Sequence, residues 1–204
     1  MACEGNGISD ERIGEALIKE VIQEELKEVP SEDVPPFTPL VKEVKTVQEQ
    51  KIVTQLGIMV RIVGDKLQDD KEFQDAIDGM ARGPGSVSDK FGGLLDKVFE
   101  HGQITWERIA VLFYVAGRMA VRMVEAHLPQ SVMQILRWTL DYFRNTLLSW
   151  IREHGGWINS FSELARVPMR SVSSLSSHTS GLIIIFVAGL AVGSIITWRL
   201  ARSP

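Results

Sequence analysis

Apolar residues recur along this chain at intervals of three and four, the spacing that lines one face of an α-helix. Ile13, Leu17, Val21 and Leu26 set a first helix, with Ser9 as its expected N-cap, Asp10 and Glu11 in its first turn, and Pro30 closing the pattern. Pro30, Pro35, Pro36 and Pro39 then mark a loop over 30–44. A second helix runs from about Lys45 to Asp70 with Leu56, Val60, Val63 and Leu67 on one stripe, and Phe73, Ile77 and Met80 place a short third helix before the turn Arg82-Gly83-Pro84-Gly85. Ser86 or Ser88 caps the next, through Phe91, Leu94, Leu95, Val98 and Phe99, with Gly102 as a left-handed close. Thr105 caps the most apolar segment, uninterrupted from Ile109 to Gly117 and bracketed by Glu107, Arg108, Arg118 and Arg122, so this helix belongs at the centre of a bundle. Pro129 restarts the chain into a helix that includes Val132, Ile135, Leu136, Leu140, Phe143, Leu147, Leu148 and Ile151 and stops at Gly155-Gly156. A shorter piece covers 157–166. No segment alternates with period two, so the predicted class is all-α, a helical bundle around a central apolar hairpin.

The two hairpin arms, 106–127 and 130–153, are each roughly 33–36 Å long and would reach across a bilayer if the bundle opened. The C-terminal part carries a stronger membrane signal. Gly181 to Trp198 is 18 residues without a charge, followed by Arg199 and Arg202, the pattern of a membrane-spanning helix with an interfacial anchor. Gly189 and Gly193, with Ala188 and Ala191 nearby, form a small-xxx-small pair that allows close helix approach in lipid. Such an anchor is expected to insert after synthesis, with the bulk of the chain cytosolic, and short Arg-flanked spans suit the mitochondrial outer membrane. The opening residues lack the cationic start and apolar run of a secretory signal. The expected organisation is therefore a flexible leader (1–8), a bundle (9–166), a Ser-rich tether (167–180) and a single-pass anchor (181–198).

Composition adds one asymmetry. The 204 residues are 45% hydrophobic and 24% charged, an ordinary globular balance. Residues 1–60 hold twelve acids against six bases, whereas 131–204 hold three acids against seven bases, all Arg. A basic rear half implies an acidic partner surface. Its Arg residues are interleaved with Leu, Ile and Trp rather than gathered in a polar stripe, which favours lipid over nucleic acid. Cys3 is the single cysteine and excludes an internal disulfide or a multi-cysteine zinc site; the four histidines have no ligand spacing. No metal, cofactor or catalytic constellation emerges, and the Gly-rich turn at 82–85 lacks the Lys of a phosphate loop. An enzyme is not expected.

The segment Leu56-x-x-x-Val60-x-x-Val63-Gly64-Asp65-x-Leu67 places apolar side chains on one face, a bare spot at Gly64 and a charge beside it. That is the build of a helix that lies in an apolar groove edged by a cation. It resembles the third homology motif, or death motif, of the Bcl-2 family of apoptosis regulators. Thr105-Trp106-Glu107-Arg108-Ile109-Ala110-Val111-Leu112-Phe113-Tyr114 resembles the family's first motif, and Trp150-Ile151-Arg152-Glu153-His154-Gly155-Gly156-Trp157 its second. They occur in the family's order. Trp138-Thr139-Leu140-Asp141-Tyr142-Phe143 and Phe186-Val187-Ala188-Gly189 resemble the Bax-type effectors within it. Thr105 and Glu107 depart from the family's usual Asn and Gly. Glu107 adds bulk and charge where a partner helix comes close, and Gln68 follows Leu67 where an acid is more usual.

The resemblance implies a Bcl-type bundle with a C-terminal transmembrane helix. It implies a pro-apoptotic effector that exposes its death motif, oligomerises and permeabilises the mitochondrial outer membrane. Asp65 of one copy would meet Arg108 of another, while Val60, Val63 and Leu67 fill a groove edged by Thr105, Trp106, Glu107, Arg108 and Phe113. The expected partners are further copies of the chain, other family members, death-motif helices and outer-membrane lipid. The alternative is an anti-apoptotic groove protein that sequesters death-motif helices at the same membrane.

Overall fold

A computed structural model describes residues 4–157 apart from short gaps at 31–33, 35, 38–39, 70 and 100–101. Among the described residues seven helices follow one another, α1 (Glu4–Leu26), α2 (Val47–Gln68), α3 (Lys71–Arg82), α4 (Val87–Val98), α5 (Trp106–Glu125), α6 (Gln130–Tyr142) and α7 (Leu148–Glu153), with a π-helical turn, Phe143–Leu147, joining the last two. No strand occurs among the described residues. As the apolar run demanded, α5 is the central helix: it packs against α1, α2, α3, α4 and α6, and every side chain from Ile109 to Val121 is buried. Its neighbours each lay one apolar stripe on it.

Helix starts follow local chemistry. Thr46 and Glu49 form a capping box at the head of α2, Ser86 and Asp89 another at α4, and Thr105 Oγ1 accepts the Arg108 N–H at 3.3 Å to start α5. The first helix departs from expectation. It begins at Glu4, so Ser9 lies inside it and caps nothing; its hydroxyl instead donates to Glu49 Oε1 at 2.9 Å. The proline-rich loop also contributes to the core, burying Phe37 and Val41. The long arm after Pro129 is not one regular helix. Its π-helical turn admits an extra residue per turn, which re-aims the side chains that follow. There Phe143 fills a slot over Gly14, where a Cβ would lie 2.1 Å from its Cζ.

The expected membrane reach of the two hairpin arms is not supported. Among the described residues no helix is long and apolar enough to cross a membrane. The reason is chemical: α5 carries Glu107, Arg108, Arg118, Arg122 and Glu125 within its 20 residues. The arm over 130–153 carries Arg137, Asp141, Arg144, Arg152 and Glu153. The short piece 157–166 lies outside the described residues beyond Trp157, as do the tether and the anchor with Gly181, Gly189, Gly193, Trp198 and Arg199.

Candidate functional site: the death-motif helix and the start of α5

The α2 helix turns one stripe inward. Leu56, Val60 and Leu67 are almost wholly buried, with Ile52, Val53 and Met59 on the same side, and Val63 packs partly buried beside them. At Gly64 the helix packs closely on α5. A Cβ there would stand 2.6 Å from Cδ2 and Cε2 of Tyr114, so only glycine lets the backbone rest on that ring. Tyr114 is in turn stacked on Phe73 of α3, centroids 6.5 Å apart. The apolar half of the motif is thus part of the core.

The charged half is not. The Asp65 side chain is exposed and makes no hydrogen bond or ion pair among the described residues; its charge is felt at Glu25, a like charge. Arg61 and Lys66 are likewise exposed without an ion pair, and Ile58 is 56% exposed. At the head of α5, Glu107 is exposed, while the Arg108 guanidinium donates to the Gln103 carbonyl at 2.9 Å. Asp65 and Arg108 are not paired with each other among the described residues; the pairing that the resemblance implies is between two copies. Phe113, expected on the groove, is 1% exposed and is a core residue here.

The first and second motifs meet through aromatic rings. Trp106 contacts Trp150 edge-on at 4.9 Å and Trp157 at 5.4 Å, and the His154 ring stacks on Trp150 at 3.9 Å. Gly155 and Gly156 both adopt positive φ, 91° and 71°, which folds Trp157 back into the core. There its backbone N–H donates to Asp10 Oδ1 at 3.0 Å and its indole N–H to the Asp10 carbonyl at 2.9 Å. Burial pushes the Asp10 carboxyl above its ordinary range, against the lowering effects of the Trp157 N–H and of Arg152.

Sequence reasoning missed how α1 holds this assembly. Glu49 is 3% exposed, yet its carboxyl is held down at about 2. Burial alone would raise it, but Arg12, the Lys45 N–H and Ser9 all bond the charged form and prevail. Glu15, fully buried, accepts from Arg144 Nε at 2.8 Å and from the Lys42 N–H at 2.7 Å. Arg118, buried at the end of the apolar run of α5, donates to Glu28 at 2.8 Å and Glu25 at 3.3 Å. Glu25 also lies across Gly117, whose missing Cβ leaves room for its stem. Burial, with the repulsion of Glu28 and Asp65, holds the Glu25 carboxyl above its usual range despite Arg118. Among the described residues no three His, Cys, Asp or Glu side chains are placed to hold a metal ion.

Comparison with known proteins agrees with this layout. The model for apoptosis regulator proteins of the Bcl-2 family matches residues 60–157, from the middle of the death motif to Trp157. The apoptosis regulator Bax of Bos taurus is 28% identical over 145 residues, covering 71% of this chain and 69% of Bax. The apoptosis regulator Bcl-2 of Canis lupus familiaris is 26% identical over 106 residues, covering 52% of this chain and 44% of that protein. The solved structure of Trichoplax adhaerens trBcl-2L2 bound to trBak BH3 superposes with a TM-score of 0.56 at 20% identity, over 74% of this chain and 97% of that one. With that match and a matching all-helical fold, residues 60–157 form a domain of the Bcl-2 family of apoptosis regulator proteins.

Proposed function

We propose that this family member is a pro-apoptotic effector that oligomerises and permeabilises the mitochondrial outer membrane. The observation that carries the reading is the divided state of α2. Leu56, Val60, Gly64 and Leu67 are locked in the core, while Asp65 stands outside without a partner among the described residues. A motif stored this way acts only after the bundle opens, which is the behaviour of a triggered protein. The Bax relative, which spans more of this chain than the Bcl-2 relative, supports the same reading.

On opening, Val60, Val63 and Leu67 enter the groove of a second copy and Asp65 meets its Arg108. Reciprocal exchange gives a symmetric, isologous dimer. The Trichoplax adhaerens protein is named as bound to a BH3 segment, and other death-motif helices are the corresponding heterotypic partners for this chain. The 181–198 segment anchors the protein in the outer membrane from a cytosolic store. The α5 and α6 helices lie along the membrane surface with their Arg residues at anionic headgroups, as interfacial helices do. The test is release of intermembrane-space contents from isolated mitochondria. Wild-type protein releases them once triggered by an activating helical peptide and Asp65→Arg does not; unimpaired release by Asp65→Arg sinks the exchange.

A further inference from the structure

Two stripes run along α2, and only one is used by the fold. Leu56, Val60, Gly64 and Leu67 face the core. Ile58, Arg61 and Asp65 follow one another at intervals of three and four, so they too share a face, and all three are exposed. An exposed large apolar residue in line with a base and an acid, neither of them ion-paired among the described residues, is an incomplete surface. At the first turn of α5 stands a complementary arrangement, Glu107 next to Arg108, with Glu107 exposed and without an ion pair among the described residues.

We propose that Glu107 is a self-recognition residue: when Asp65 of one copy engages Arg108 of another, Glu107 of the second copy takes Arg61 of the first. The occupant is thus a second copy of this chain, chosen by charge order. Arg61 lies one turn from Asp65 on the same stripe; Glu107 and Arg108 are consecutive in the first turn of α5, about 100° apart around its axis, so a helix crossing that turn meets the two charges one after the other. Lys66, the other nearby base, is turned about 100° from Asp65 around the helix and points off the stripe. The pairing makes the surface selective. A death-motif helix with an acid or an apolar residue one turn before its Asp meets Glu107 as repulsion or as an unpaired charge.

The inference rests on the exchange of Asp65 and Arg108 proposed above, and the test separates the two. A fluorescent peptide of residues 52–70 is titrated with the full-length protein and binding is read by anisotropy. Arg61→Glu in the peptide weakens binding about tenfold, as expected for like charges at an interface rim. Glu107→Arg in the protein weakens the wild-type peptide similarly and recovers most of the affinity for the Arg61→Glu peptide. Lys66→Glu leaves affinity within about threefold, since its side chain faces away from the partner. Glu107 is exposed, and an unchanged melting temperature of the Glu107→Arg protein confirms folding. Losses that simply add in the swapped pair, while Asp65→Arg still abolishes binding, overturn the role of Glu107 and leave the exchange standing. A wild-type peptide that fails to bind, or an Asp65→Arg peptide that binds normally, overturns both.

Discussion

Along α1 every buried acid has a partner. Asp10 accepts from Trp157, Glu15 from Arg144 and the Lys42 backbone, and on α2 Glu49 from Ser9, Arg12 and the head of its own helix. On the outward face of α2 and the first turn of α5 the opposite holds: Arg61, Asp65, Lys66 and Glu107 are exposed and ion-pair with nothing among the described residues. The paired set fixes where the helices sit, because stranding any one of those charges in the interior is costly. The unpaired set contributes little to the fold and is free to address another molecule. The proposed role, storage in one shape and use in another, needs both.

The comparison breaks most sharply on the paired side. Arg12→Ala strands Glu49 and is expected to lower the unfolding free energy by about 3–5 kcal/mol, measured by urea denaturation. Acid attacks the same contact. With its carboxyl held near 2 in the folded state against about 4.5 unfolded, Glu49 stabilises the protein above pH 4.5. That stability is lost as the pH falls towards 2, a loss of about 3 kcal/mol. Glu49→Gln should flatten this part of the urea-midpoint profile. Asp10 and Glu25 are shifted upward and act in the other direction, since they take up protons more readily in the folded state and gain stability as acid protonates them.

Between the two faces lies Gly64. Gly64→Ala pushes a methyl into Tyr114 and should cost about 1–3 kcal/mol, an effect that shrinks in a Tyr114→Leu background. Smallest of all are Arg61→Ala and Glu107→Ala, expected within about 0.5 kcal/mol of wild type in stability. A loss of several kcal/mol at either would show that these side chains serve the fold and erase the contrast.

The elements themselves were legible where local chemistry decides. Ser86, Thr105 and the glycine pair 155–156 announce their helix ends, and the apolar run of α5 announces its burial. What was not legible depends on contacts far apart in sequence. Asp10 looks like a first-turn acid placed for the helix dipole, yet its partner is Trp157, 147 positions away. Nothing local marks Glu15 as buried, and nothing in Phe143 tells that it fills the slot over Gly14 or that a π-helical turn aims it there. The start of α1 was missed because Gly5, Asn6 and Gly7 are poor helix formers, and Ser9 imitates a cap. At the candidate site the motif stripe was correctly read as apolar. Its present burial against Tyr114 follows from tertiary packing that spacing does not encode, whereas the core placement of Phe113 follows from the apolar run and departs only from the groove role that the resemblance implies.

The most direct measurement is dye leakage from vesicles of outer-mitochondrial lipid composition, using the full-length protein with and without an activating helical peptide. An effector leaks dye only after activation, and Asp65→Arg abolishes the leak. No leakage under any activation, together with protection of the vesicles against another family effector, would contradict the proposed role and assign the protein to the guardians.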